Sequence, residues 1–416
     1  MKSPVGMIIF IVAMLCLDTY FFQALKKVTE SASPKTKTII YSIYWGITAL
    51  AIISFVLFVV TEQHLFGRKI RTYLFSIVVG LFMAKMVAMV FFLVDDLRRA
   101  IQYIASKLFF NNTEMSSIGD EGISRSAFLS WLGIAAGTTL FGTLIAGFRN
   151  QYHYEVRRIK LNYPNLPAAF KGLKIVQISD IHSGSFMDVK AVQHGVDMVM
   201  QEQADLILFT GDLVNNEATE MDDYKEVFNK LKAPLGVFST LGNHDYGDYV
   251  QWPIKGVTKL QNLENLKQVH ADIGWRLLMN EHVALEKNGE KIALLGIENW
   301  SAKGRFPKHG KMNEAHKDTE DYTFKILMSH DPSHWDAQVR PQYPSVDLTL
   351  SGHTHGMQFG VELPGFKWSP VQYMYPQWGG LYEQGNQKLY VNRGFGFLGY
   401  PGRVGILPEI TVIELT

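Results

Sequence analysis

Residues 174–182 read KIVQISDIH and residues 205–212 read DLILFTGD. In each, a compact apolar run stops at residues of different chemistry, Asp180-Ile181-His182 in the first and Gly211-Asp212 in the second. The arrangement recurs downstream. Val237 to Leu241 stops at Gly242-Asn243-His244-Asp245, Lys325 to Ser329 at His330-Asp331, and Leu348 to Ser351 at Gly352-His353-Thr354-His355. Short apolar runs bounded by turn signals read as strands, and strand ends are where open sheets gather ligands from several loops. Val189 to Gln203, with Val192, Val196, Met198 and Met200, fits a helix packed on a sheet between the first two strands. Leu277 to Leu285 and Ile292 to Gly296 flank Asn288-Gly289 as a hairpin. Strands alternating with helices, then hairpin-like runs, predict an α/β sandwich of two sheets.

The five motifs offer carboxylates, imidazoles and one amide oxygen, with no thiolate nearby, a mixed O/N set that suits Mn, Fe or Zn. A lone DxH or GxH is common in surface loops; five such motifs in order, each at a strand end, are not a coincidence. They supply ligands for two adjacent ions, and the chemistry implied is metal-assisted hydrolysis. Two ions about 3.5–4 Å apart need a bridging carboxylate, a role that falls to Asp212.

Composition divides the chain. Across its 416 residues the net charge is +1, so no basic surplus points to nucleic acid, and nothing implies a protein partner. The only cysteine, Cys16, rules out an intramolecular disulfide framework and a cysteine metal site. Apolar stretches run from Pro4 to Phe22, Ile39 to Val60, Tyr73 to Val94 and Ala127 to Phe148. Each approaches the roughly 20 residues needed to cross a bilayer. The first reads as a span and not a cleaved signal, because it is long, keeps Asp18 and shows no clean cleavage site before Lys26. Leu97, Ile101, Ile104 and Leu108 recur at helical spacing beside Arg98, Arg99 and Lys107, as in a helix lying in the interface, or in a core helix. Asn111 to Gly122 reads as a loop. Lys85, in mid-span, should face the bundle with Asp18 as its candidate partner, and a buried structural pair is favoured over an ion path. Lys and Arg divide evenly between the two sides of a four-span arrangement, so they leave the side of the catalytic part open. The expectation is a multi-pass membrane protein, with residues 1–150 as four transmembrane helices plus an interfacial helix and 151–416 as the catalytic domain.

In this order the motifs resemble the calcineurin-like metallophosphoesterase superfamily, over about residues 154–416. The resemblance implies two mixed β-sheets flanked by helices, behind the transmembrane bundle, and two divalent metal ions. It places Asp180, His182 and His355 on the first ion, Asn243, His330 and His353 on the second, and Asp212 on both. His244 becomes the imidazole over the scissile phosphate, and the nucleophile is a water whose pKa two Lewis acids bring down to about 7. Protein Ser/Thr phosphatases read GDxVDRG at the second motif, whereas here Gly211-Asp212-Leu213-Val214 is followed by Asn215, Asn216 and Glu217. The amide of Asn215 then orients His244 without stabilising imidazolium by charge, and a protein phosphatase is disfavoured. Asp245 and Asp331 are open to two roles, orienting imidazoles or capping loops.

The tail, with Tyr375-Pro376-Gln377-Trp378, Asn392-Arg393-Gly394 and Pro401-Gly402-Arg403, looks like the membrane-associated bacterial phosphodiesterase branch, the YkuE/YaeI-like proteins and transmembrane metallophosphoesterases. Some of that branch hydrolyse UDP-2,3-diacylglucosamine in lipid A biosynthesis, although the soluble enzymes of that activity carry Arg where this chain has His244. The resemblance implies a phosphodiesterase or pyrophosphatase acting on a small or lipid-linked phosphoester at the bilayer. The aromatic and glycine-rich stretch Gly365 to Tyr382 reads either as the lining of a path for an amphiphile or as β-structure with an aromatic core. The rival from another class is an inactive phosphoesterase-fold membrane sensor or scaffold, whose mark would be missing ligands.

Overall fold

A computed structural model describes residues 4–60, 67–109, 125–304 and 306–416. The chain divides into two compact units, Met1–Ala146 and Gly147–Thr416. The loop expected at Asn111 to Gly122 and the histidine at position 64 lie outside the described residues.

The second unit holds two six-stranded sheets. One is ordered β1 (Glu155–Leu161), β14 (Glu409–Leu415), β2 (Lys174–Ile178), β3 (Leu206–Phe209), β4 (Val237–Ser239) and β5 (Arg276–Leu277). The other runs β12 (Gly380–Gln384), β13 (Gln387–Val391), β9 (Leu348–Ser351), β8 (Lys325–Met328), β7 (Glu290–Gly296) and β6 (Glu281–Lys287). A separate hairpin is formed by β10 (Val361–Leu363) and β11 (Phe366–Trp368). β2, β3 and β4 are mutually parallel, as are β7, β8 and β9, so the five motifs leave the C-terminal ends of parallel strands.

Alternation along each strand explains the continuous apolar runs. Leu206 and Leu208 face the other sheet while Ile207 and Phe209 face helices; in β8, Ile326 and Met328 point inward and Leu327 outward. A strand buried on both faces has no polar position to spare, and each such side chain contributes roughly 1.5–3 kcal/mol. The helix Val189–Gln201 presents Val192, Val196 and Val199 to the first sheet, capped by Asp188, whose carboxylate accepts from the Lys190 and Ala191 amides. Asn288 and Gly289 make the expected turn, both at positive φ, with Lys287 opposite Glu290. Leu277 departs from expectation: it does not belong to that hairpin but ends the first sheet, beside Ser239.

The first unit is four helices, α1 (Pro4–Val28), α2 (Pro34–Val60), α3 (Arg68–Phe109) and α4 (Arg125–Gly147, whose last residue opens the second unit). All four are long and apolar enough to cross a membrane. Their outer faces, with Ile9, Leu50, Val90 and Phe128 each more than half exposed, are apolar all round, which only a lipid surround satisfies. Gly133 and Gly137 let α4 meet α3 closely; a Cβ at Gly137 would stand 2.7 Å from the Ala84 carbonyl. The interfacial segment is not a separate element, because no breaker follows Val94 and the third span continues unbroken to Phe109, with Leu97, Ile101 and Ile104 exposed along it.

Lys85 and Asp18 form a buried ion pair between α3 and α1. Asp18 also accepts from Tyr44 Oη at 2.7 Å and Thr48 Oγ1 at 3.0 Å on α2, and the ammonium lies 5.0 Å from the Tyr44 ring centre. Three helices thus share one satisfied polar node, the bland alternative weighed from sequence. Breaking such a pair from one side leaves a charge without its counterion. Lys85→Met is expected to cost about 3–5 kcal/mol by denaturant titration in micelles, and Lys85→Met/Asp18→Leu to recover most of it. A single variant as stable as the wild type would show that the node does not hold the bundle.

Candidate metal centre

The glycines that open the motifs have a steric reason. Gly211 sits at φ +98, and a Cβ there would lie 2.6 Å from the Gly242 amide and 2.9 Å from His330 Nδ1. At Gly352 a Cβ would overlap Ser179 Oγ and the Asp180 carboxylate. Loops carrying neighbouring polar groups can therefore pack backbone to side chain. Asp180, His182, Asp212, His353 and His355 all have φ between 49 and 72, a region non-glycine residues enter at about 1–3 kcal/mol each. Five strained residues converging on one rim mark a place where geometry outranks stability.

Their side chains form two groups, Asp180 with His182 and His355, and Asp212 with His330 and His353, in each of which the candidate donor atoms lie within 4.8 Å of one another. Asp212 joins the groups: its Oδ2 is 3.1 Å from His330 Nε2 and 3.5 Å from His182 Nε2, while its Oδ1 accepts the His244 amide at 2.8 Å. Asn243 Oδ1 lies 2.7 Å from His353 Nδ1. His330 Nδ1 meets the Thr210 carbonyl at 2.7 Å, which fixes the ring and turns Nε2 to the centre.

His182 Nε2, His330 Nε2 and His355 Nε2 are buried with no well-directed hydrogen-bond partner among the described residues. Buried polar atoms are nearly always satisfied, so three on one rim facing carboxylates are a donor set for cations. For His182 and His353 the electrostatics agree. Burial pushes His182 down to about 3 and His353 to about 4, keeping both in the neutral form that offers a lone pair. Burial, with Asp212 adding to it, pushes Asp180 up to about 6. Burial opposes charge on Asp212 and His330 too, but each outweighs it for the other, holding the carboxyl well below its usual range and the imidazole up at about 10.

His244 lines the cavity, but the atom of Asn215 that orients it differs from the sequence expectation. Its Nδ1 meets the main-chain carbonyl of Asn215 at 2.9 Å, while the Asn215 amide turns to Ser185 Oγ at 3.0 Å. Orientation therefore comes from a backbone oxygen, whose residue identity is immaterial, and Nε2 is the nitrogen left to the cavity. Glu220 holds that loop by accepting the Asn215, Asn216 and Glu217 amides. Asp331 does both jobs foreseen for it, capping Ser333 at 2.8 Å and lying 3.5 Å from His353 Nε2, which also meets Tyr375 Oη at 2.9 Å. His270, His282, His316 and His334 bond away from the centre, to Ser239, Ala315, Ser345 and Ser329.

Several members of the site carry no sequence signal. Tyr249, Phe306, Met357, Met374 and Leu398 join the polar residues in lining a cavity of about 590 Å³ over the centre. The tail arginines are buried fasteners. Arg403 donates to the carbonyls of Arg393, Gly394 and Gly396 and lies 3.4 Å from His355 Nδ1; Arg393 pairs with Glu409 at 2.6 Å.

Asp245 caps loops and does not touch an imidazole: it accepts the amides of Asp212, Leu213, Val214 and Gly242 at 2.8–3.3 Å. Its removal strands four buried donors. Asp245→Ala is expected to cost roughly 3 kcal/mol or more, from about 1–3 kcal/mol per unsatisfied buried donor, read as a lower melting temperature of the second unit. An unchanged melting temperature would mean that the two loops hold themselves together.

Comparison with known proteins agrees with this geometry. A family model described as calcineurin-like phosphoesterase matches residues 173–357, and one described as the transmembrane domain of a calcineurin-like phosphoesterase matches residues 4–150. The metallophosphoesterase YkuE of Bacillus subtilis is 30% identical over 305 residues, 70% of this chain and 98% of that one. A transmembrane protein with metallophosphoesterase domain from Danio rerio is 30% identical over 63% of this chain, which spans 57% of that longer protein. A protein named UDP-2,3-diacylglucosamine pyrophosphatase LpxG, from Chlamydia trachomatis, is 29% identical over 58% of this chain and 83% of its own. The chain belongs to the calcineurin-like phosphoesterase family, as a multi-pass membrane member of it.

Proposed function

We propose that this hydrolase cleaves a phosphodiester or diphosphate bond with two divalent cations, Mn, Fe or Zn, in a substrate that carries an apolar part. The observation that carries the reading is the single carboxylate oxygen of Asp212 placed 3.1 Å and 3.5 Å from imidazoles of two different donor groups. Asp180, His182 and His355 would hold one cation, Asn243, His330 and His353 the other, and Asp212 both. The cations supply Lewis acidity, drawing charge from the phosphoryl oxygens and activating a water.

The remaining work belongs to the chain. His244, with Nδ1 committed to the Asn215 carbonyl, holds Nε2 toward the cavity, where a protonated ring gives a proton to the leaving oxygen or a hydrogen bond to a phosphoryl oxygen. Asn243 and Asp180 are held in place by their loops, so the donors need not reorganise. The apolar wall of Phe306, Met357, Met374 and Leu398 supports an amphiphilic substrate. The name of the chlamydial relative makes UDP-2,3-diacylglucosamine the first compound to try. All seven candidate donors stand at the site, which weighs against an inactive scaffold.

Stripping metal from the purified full chain is expected to abolish hydrolysis, with Mn, Fe or Zn restoring it. Asp212→Asn should nearly abolish it while the protein stays folded, and full activity with two ions bound would sink the assignment. His244→Ala should lower kcat by about 10²–10⁴ with metal content unchanged. Loss of metal in step with activity would make His244 a ligand. A lipid-linked diphosphate should exceed its deacylated counterpart in kcat/KM by about tenfold or more, the worth of a few buried methylenes. Equal values would remove the amphiphile from the proposal and leave the hydrolase.

A further inference from the structure

The hairpin of β10 and β11 displays apolar residues where a soluble domain would display polar ones. Leu363 is 60% exposed, Phe366 57%, and Tyr373, just beyond the hairpin, 77%. Leu363 and Phe366 face each other across a Pro364-Gly365 turn, with Gly365 at φ +77 as such a turn requires. The charges on the hairpin are engaged by the domain: Glu362 pairs with Arg157 at 2.8 Å and with Arg393, and Lys367, itself exposed, donates to the Gly379 carbonyl at 2.6 Å. What remains outward is aliphatic and aromatic.

The root of the hairpin is tied to the place where the chain emerges from its fourth apolar helix. The Gly360 amide donates to the Val404 carbonyl at 2.9 Å and the Val404 amide to the Gln358 carbonyl at 2.8 Å. One residue earlier, the Arg403 amide donates to the carbonyl of Gly147 at 3.0 Å, and Asn150 Nδ2 returns to the Arg403 carbonyl at 3.1 Å. Gly147 ends α4 and opens the second unit. At 23 residues α4 is about 35 Å long, close to the roughly 30 Å of hydrocarbon it has to cross, so Gly147 lies at the membrane boundary. Two main-chain hydrogen bonds and one peptide step thus join Gly147 to Gly360, so the root of the hairpin lies within roughly 15 Å of Gly147.

We propose that the face formed by Leu363, Phe366, Tyr373 and Met374 rests in the interfacial layer of the bilayer that holds this chain's own helices. Tyr373, with Trp368 Nε1 3.5 Å from its hydroxyl, is the amphipathic aromatic type that settles at headgroup depth. Met374, part of this face, and Met357, likewise exposed, also line the cavity over the donor groups. A lipid-linked substrate would reach the centre along this face with its acyl chains still in the membrane. That consequence rests on the proposed hydrolase; the docking does not.

The full chain without its lone cysteine (Cys16→Ser) takes a bimane label at position 366 (Phe366→Cys). A control carries the label at position 291 (Lys291→Cys), at the start of β7, on the rim opposite the metal-facing strand ends. Both are reconstituted in 3:1 phosphatidylcholine–phosphatidylglycerol vesicles. The label at 366 is expected to be quenched by doxyl lipid and shielded from iodide at least about threefold relative to the label at 291. Equal iodide access without lipid quenching overturns the proposal. In parallel, Leu363→Asp/Phe366→Asp should keep the melting temperature and the hydrolysis of a water-soluble diester while losing about tenfold or more on a lipid-linked one. Equal retention of both activities also overturns it. An unquenched label in a protein that still hydrolyses is a failure of docking, whereas a quenched label in an inactive protein is a failure of the hydrolase reading.

Discussion

One buried carboxylate organises the second unit. Asp212 must present one oxygen to two imidazoles from separate donor groups, and everything near it serves that placement. Its other oxygen is taken by the His244 amide, its own amide by Asp245, and Gly242 lies so close that any side chain there would strike it. Asp245 in turn collects four amides from the two loops that carry Asp212 and Asn243, so the donors of both groups are set by a single hydrogen-bonded knot. Strained φ values at five candidate ligands persist because the knot and the sandwich beneath it leave the loops no alternative.

How much of this was legible in the sequence follows from what kind of atom does each job. The strands were legible because, buried on both faces, they read as unbroken apolar runs, and the candidate ligands because polar residues at the ends of such runs have no other business there. The place of β14 between β1 and β2 was not legible, since it joins residues more than two hundred positions apart. Nor was the partner of His244. Asn215 was singled out for its amide, yet a main-chain carbonyl does the work, and backbone atoms carry no signature. Arg393 and Arg403 stood out in the tail, but their role as buried fasteners depends on Glu409 and on carbonyls that only the folded chain brings to them.

The membrane unit was legible by length and hydropathy, and its charged residues were legible as a problem that a bundle must solve. Asp18 and Lys85 solve it together, with Tyr44 and Thr48 completing the node. The unbroken course of α3 past Val94 was missed because the pattern changes there from apolar all round to amphipathic, which reads as a boundary although helix propensity continues across it. Four crossings give more attachment than a soluble substrate requires. On the proposed function, the apolar wall of the cavity and the outward face of the β10–β11 hairpin would give that attachment a chemical purpose.

The central claim is that two cations sit on opposite sides of Asp212. Anomalous diffraction from crystals of the full chain, collected at the Mn, Fe and Zn edges, tests it directly. The account predicts two peaks, one among Asp180, His182 and His355 and one among Asn243, His330 and His353, each beside the Asp212 carboxylate. A single peak at saturating metal, or two peaks with Asp212 touching only one, would contradict it.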